Sequence, residues 1–324
     1  MALPTHFKLN TGAQIPAVGL GTMPALFSAG RSEIQAHGDL NLVRYARQVS
    51  FALKNGYSHI DAALRKQARF WGLMGSLGNE HEVGQGIKDS GVPRENIFIT
   101  SKLWNTHQPN VAEGLQKTLD ALGTDYLDLY NESSELLPVN PDGTRSIDRS
   151  WGQSETWRQM EEVYKAGKVK AIGVANWSIP YLEELKKKWT VVPAVNQVEL
   201  HPFLPQHALK EWCDKHGILL EAYSPLGSEG LRSAHVRSRN SGDYYLKKHG
   251  VSPATVLISY HINRGVVVLP KSTKENRIVS NRQVILLSRE DMDVLNGLAV
   301  QGKARRINTP LFGWDLGFDD WYNQ

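Results

Sequence analysis

The sequence predicts a (β/α)₈ barrel carrying a short N-terminal β-hairpin, with residues 1–324 as one domain. Two observations lead there. Short runs rich in β-branched residues alternate eight times with helical patterns, and strands alternating with helices pair in parallel through crossovers. Eight such units close most economically into a barrel, and a chain of 324 residues suits one. A doubly wound open sheet would need a full glycine-rich phosphate turn after its first strand. GLGTM meets the G-x-G-x-x-G pattern only in part.

FKLNTGAQIP reads as two short strands joined by a Thr-Gly turn. VGLGT (18–22) is the first barrel strand, followed by a helix near 41–54 with Val43, Ala46, Val49 and Leu53 on one face. YSHIDA (57–62) leads to a helix near 80–89, and IFITSK (97–102) to VAEGLQKTLDAL. YLDLY (126–130) precedes a helix near 153–166, AIGVAN (171–176) precedes IPYLEELKKK, and AVNQVEL (194–200) precedes HALKEWCDKH. ILLEAYS (218–224) is followed by SPATVLISYHINR, and VVVLPKS (266–272) by a short helix near 274–281.

The composition is that of a globular protein, with 41% apolar and 22% charged residues. A net charge of +4 suits small anionic ligands and argues against a nucleic-acid binder, which would show a basic stripe. The single cysteine, Cys213, excludes an internal disulfide and a multi-cysteine zinc site, and points to a reducing, cytoplasmic setting. MALPTHFKLN has no apolar core segment, and no run of 18 apolar residues occurs, so neither secretion nor a membrane span is expected. His107, His201 and His207 lack paired ligand spacing and read as loop or rim residues, so no metal is expected. Nothing in the sequence reveals an oligomeric state.

Barrel sites form where strands end at their C-terminal side. The predicted strands end in, or carry, Asp61, Lys102, Asn176, Gln197, Tyr223-Ser224 and Lys271-Ser272. One such residue could simply solvate the rim. Six converging on one face point to a single site.

SKLWNTHQP, GVANWS, NQVELHP, AYSPLG and LPKS, in this order and spacing, resemble the aldo-keto reductases over most of the chain. The closing INTPLFGWDLGFDDW is most similar to fungal members of the glycerol dehydrogenase and glyceraldehyde reductase type. The resemblance implies a (β/α)₈ barrel, NADP(H) as cofactor, and reduction of small aldehydes or ketones to alcohols. It also implies that Asp61 and Lys102 are catalytic, the pair that lowers the pKa of a tyrosine proton donor. For the cofactor it implies Thr22 at the first strand end, and Asn176, Gln197 and Tyr223 around the nicotinamide. Ser224, Leu226 and Ser228 would line the pyrophosphate, with Lys271, Ser272, Thr273 and Arg277 on the 2′-phosphate and Asn281 near the adenine. Cations and hydroxyls clustered in LPKSTKENR suit a dianionic phosphate. Trp104 and Trp314 would wall the substrate pocket, the latter from a tail segment near Leu311–Trp314.

The pattern breaks in four places. Between Asp61-Ala62-Ala63-Leu64 and Gly78-Asn79-Glu80 the family holds its catalytic tyrosine on a short link. Here the link is RKQARFWGLMGSL (65–77), which contains no tyrosine. YLDLY runs directly into NESSELLPV, where the family continues into a His-Trp-Pro stretch, so the fourth strand is expected to end early at 130–131 with loss of ladder bonds and core area. Segments 23–48, where Met23 replaces a common tryptophan, and 228–245 also look foreign, as splice or gene-model boundaries would. Residues 23–40, 65–77 and 228–243 are expected to be loops or irregular helices. Three functions compete: an NADP-dependent reductase, an impaired homologue that still binds NADP(H), and a mis-spliced product lacking the Tyr/His pair. Cofactor titration separates the third from the others, and carbonyl-dependent NADPH oxidation separates the first two.

Overall fold

The computed structural model describes residues 3–22, 38–63, 79–132, 151–227, 248–300, 304–308 and 315–321, with side chains in the first helix from Tyr45 onward. Strands β1 (His6–Lys8) and β2 (Gln14–Pro16) form the expected antiparallel hairpin, registered Phe7 to Ile15. Gly12, at φ 89°, takes the left-handed turn position that a side chain would strain.

Eight parallel strands follow: β3 (Leu20–Gly21), β4 (His59–Asp61), β5 (Phe98–Leu103), β6 (Leu129–Glu132), β7 (Ile172–Ala175), β8 (Val195–Glu199), β9 (Leu219–Tyr223) and β10 (Val267–Val268). Each pairs with its sequence neighbours in unbroken order. The seam between first and last is closed by a parallel bridge, Val18 to Val268. There the Gly19 amide donates to Val268 O, and the Val268 amide to Ala17 O, both at 2.9 Å. Gly19 permits this approach, since a Cβ would sit 2.6 Å from His59 Nδ1.

Around the barrel lie α1 (Gly38–Lys54), α2 (Glu80–Ser90), α3 (Val111–Leu122), α4 (Gln153–Lys165), α5 (Ile179–Lys186), α6 (His207–Lys215), α7 (Pro253–Asn263) and α8 (Glu275–Asn281). A further helix, α9 (Arg289–Gly297), was not expected. It opens on a capping box in which the Asp291 amide donates to Ser288 Oγ while Asp291 accepts from the Ser288 amide, a readable sequence signal.

Alternation along the strands divides the interior. Outward residues such as Ile60, Ile99, Tyr130, Ile172, Val198 and Leu220 pack with Val49, Leu53, Val83, Leu119, Trp157, Met160 and Leu209 of the helices in one apolar cluster. Inward residues at the base, Phe98, Leu129, Val195 and Val267, close on Leu9 and Ile15 of the hairpin segment. Above that floor the inward positions turn polar.

The fourth barrel strand corrects an expectation. Instead of ending at Tyr130 it runs through Asn131 and Glu132, which pair with Lys102 and Leu103 on one side and with Gly173 and Val174 on the other. Neighbours on both edges satisfy its backbone, so the polar side chains do not end the ladder. Of the foreign-looking segments, residues 38–40 already belong to regular helix in α1, while 23–37, 65–77 and 228–243 lie outside the described residues.

Candidate active site

The ion pair expected at the strand ends is present. Lys102 Nζ donates to Asp61 Oδ1 at 2.6 Å and to Ala62 O at 3.1 Å, and both residues are only 4% exposed. They meet because β4 and β5 pair Asp61 with Thr100, which puts Lys102 one inward step higher. An ammonium has three N–H groups. Among the described residues the third has no partner, so Lys102 keeps one donor for a group entering from the mouth.

Asp61 is pinned from behind. Thr22 Oγ1 donates to Asp61 O at 2.7 Å and accepts from Asn79 Nδ2 at 2.8 Å, while Asn79 Oδ1 accepts the Ala63 amide at 3.2 Å. Thr22 is therefore buried at the first strand end with its hydroxyl turned to the protein. Asn79 was missed as a site-positioning residue; its place immediately before α2 was the available signal.

Gln197, inward on β8, reaches across the barrel. Its Nε2 donates to Asp61 Oδ1 at 3.1 Å and to Glu221 Oε2 at 2.6 Å. Glu221 is fully buried; burial first, and then the charge of Asp61, push its carboxyl up to about 8. His59 lies beneath, with Nε2 2.9 Å from Thr100 Oγ1 and 3.5 Å from Glu221 Oε1. Burial lowers His59 to about 4, so it is neutral at pH 7. Period-two alternation in VNQVE and LLEAY puts Glu199 and Glu221 on the same face as Gln197 and Tyr223, a signal that could have found both.

Asn176 and Ser224 stand just past the ends of β7 and β9 at φ 60° and 48°. Left-handed backbone at non-glycine residues is uncommon and clusters at functional sites. Tyr223 OH donates to Asn176 Oδ1 at 2.9 Å, and Asn308 Nδ2 donates to Ser224 Oγ at 3.3 Å. The tail is fastened to the same rim: Glu199 accepts the Ile307 and Asn308 amides, each at 2.8 Å, and stands 3.0 Å from His201 Nε2. Burial raises the Glu199 pKa, but these hydrogen bonds outweigh it and the net shift is downward. His201 is thus a buried partner of Glu199 rather than a rim residue.

The remaining sequence candidates divide. Ser272 and Asn281 are buried, Lys271 and Thr273 are half-buried, and Arg277 is exposed on α8. Thr273 borders a 560 Å³ cavity with Arg47, Gln48, Phe51, Glu275 and Asn276. Leu226 packs toward Ile258 and Val256 of α7. Trp104 is 2% exposed and its indole N–H has no partner among the described residues. Ser228 and Trp314 lie outside the described residues. Among those residues no cluster of His, Cys, Asp or Glu has metal-holding geometry.

Comparison with known proteins agrees with this architecture. The Aldo/keto reductase family profile matches residues 18–299. A D-galacturonate reductase of Hypocrea jecorina is 41% identical across 98% of each chain. A glycerol 2-dehydrogenase (NADP(+)) of Saccharomyces cerevisiae is 41% identical across 94% of this chain and 93% of its own. A Bombyx mori aldo-keto reductase solved in complex with NADP superposes with a TM-score of 0.77 at 29% identity, covering 99% of both chains. With its closed eight-stranded barrel and full-length similarity to these enzymes, this chain belongs to the aldo/keto reductase family.

Proposed function

We propose that this chain, acting as one barrel domain over residues 1–324 in the cytoplasm, binds NADP(H) and interconverts small aldehydes or ketones of the glyceraldehyde and sugar type with their alcohols. The observation that carries the reading is the buried Asp61–Lys102 pair, with one Lys102 donor unpartnered among the described residues, at the C-terminal mouth of the barrel. The named reductase and dehydrogenase relatives support it, and none of them favours an inactive product.

The residues present fit the cofactor. Left-handed Asn176 and Ser224 bring polar groups to the rim beside Tyr223, and Gln197 has an amide oxygen with no partner among the described residues. Asn176, Gln197 and Tyr223 would hold the nicotinamide, and Ser224, Leu226 and Ser228 the pyrophosphate. Lys271, Ser272, Thr273 and Arg277 would take the 2′-phosphate, with Asn281 at the adenine. When bound, NADPH supplies the hydride. The protein's part is to receive the carbonyl oxygen beside Lys102, whose remaining N–H opposes the developing negative charge in a site screened from water. Asp61 and the Ala62 carbonyl keep that ammonium in place. Trp104 and Trp314 would border the substrate.

The link at 65–77 contains no tyrosine. This favours a chain in which cofactor binding is better preserved than turnover. The test is NADPH titration by fluorescence beside steady-state glyceraldehyde reduction. Failure to bind NADPH in a folded protein would overturn the proposal.

A further inference from the structure

We propose that Glu221 is a positioning residue which sets the orientation of the Gln197 amide and thereby makes the site select a cofactor group that donates a hydrogen bond. This rests on the reading of Gln197 as a contact of the nicotinamide carboxamide.

The geometry is a fork. Gln197 Nε2 lies between two carboxyl oxygens, Glu221 Oε2 at 2.6 Å and Asp61 Oδ1 at 3.1 Å. An amide nitrogen offers two N–H donors and its oxygen offers none. Only the nitrogen can satisfy both positions, so the oxygen is turned away from them. Asp61 alone would hold this orientation weakly, because the same oxygen is shared with Lys102 Nζ at 2.6 Å. Glu221 supplies the second anchor. An amide oxygen with no partner among the described residues accepts from an –NH₂ group and gains nothing from a methyl ketone in the same place.

The surroundings keep Glu221 in this role. It faces His59 and Asp61 of β4 and Gln197 of β8, with Lys102 of β5 near enough to offset its upward shift slightly. Burial and Asp61 favour its neutral form, whose carbonyl oxygen still accepts from Gln197. The other oxygen stands 3.5 Å from the neutral His59 ring. Neither group contributes a charge that competes with Asp61 for Lys102 at neutral pH.

The experiment measures binding rather than turnover. Kd values for NADPH and for its 3-acetylpyridine analogue, which lacks the carboxamide –NH₂, are measured by calorimetry for wild type, Glu221→Leu, Glu221→Met and Glu221→Gln. Wild type is expected to prefer NADPH about tenfold, the effect of leaving a buried acceptor unpaired. In either apolar variant Gln197 is free to turn over, and the preference should fall below about threefold. Glu221→Gln retains an acceptor oxygen and should retain the preference, while the apolar variants should bind both nucleotides and lose it, a split that a purely structural role would not produce. Equal binding of the two nucleotides by wild type would overturn the proposal, as would an undiminished preference in a folded apolar variant or its loss in Glu221→Gln. Loss of folding in both apolar variants leaves the wild-type and Glu221→Gln ratios to decide. If wild type binds neither nucleotide, the cofactor reading and this inference fall together.

Discussion

Glu132 makes the stability of this protein depend on pH in a direction opposite to ordinary acid denaturation. It ends β6 and is 1% exposed; among the described residues it has a single hydrogen bond, from Gln108 Nε2 at 3.4 Å, with Oε2 unpartnered. Burial raises its pKa from 4.5 to about 8. A carboxyl raised on folding binds its proton more tightly in the native state. Its contribution is fully present below pH 4.5 and is lost as pH rises through about 8. Each pH unit in that window costs about 1.4 kcal/mol, so by pH 7 the group has cost roughly 3 kcal/mol. Glu132→Gln removes the titration while keeping the shape. The substitution has a pH-independent cost of its own, an unpartnered amide of about 1–3 kcal/mol, so the slope is the quantity to measure. Urea unfolding at pH 5, 6, 7 and 8 should show the variant gaining on wild type by about 1.4 kcal/mol per unit, or roughly 4 kcal/mol over the range. A stability difference between variant and wild type that stays constant within about 0.5 kcal/mol across that range would refute the reasoning, because Glu132 would then titrate alike in both states.

Other outcomes can be checked alongside. Burial also raises Glu80, to about 7, so Glu80→Gln should gain stability relative to wild type between pH 5 and 7 in the same assay. His59, lowered to about 4 by burial, acts in the other direction: its contribution is present above the unfolded value of 6.5 and is lost as pH falls toward 4, so an acid limb should appear there in wild-type melts. Lys102→Met strands Asp61 in the barrel and should lower stability by about 3–5 kcal/mol by urea titration, with any carbonyl reduction abolished; unchanged turnover would remove Lys102 from the site. Gly173→Ala would place a Cβ 2.3 Å from Asn131 Oδ1 and 2.7 Å from Val195 O, and the resulting overpacking should cost about 1–3 kcal/mol. Restoring a tyrosine-bearing link at 65–77 should raise glyceraldehyde turnover by about 10²–10⁴-fold if the proton donor is what the chain lacks. Wild-type turnover already at about 1–10³ s⁻¹ would show that another group, with Lys102 the nearest, supplies the proton.

The sequence by itself determined the barrel, because its signals are local. Period-two runs specify strands, 3.6-residue patterns specify the helices between them, and only parallel crossovers join eight such units. Asp61, Lys102, Asn176 and Gln197 were legible as polar residues at or near the ends of apolar runs, where any barrel opens. The course of β6 was not legible. Asn131 and Glu132 read as the start of a loop by composition, and only the two flanking strands, by pairing their backbone groups, kept them in the ladder. The polar interior was equally hidden. Gln197 meets Asp61 across 136 residues of chain, and Glu221 meets His59 across the closed barrel. Contacts of that kind depend on strand stagger and closure, which no window of sequence contains. The raised pKa of Glu221 follows from the same closure, and that of Glu132, on the outward face of β6, from the segments packed against that face, because only the assembled fold removes water from their carboxyl groups.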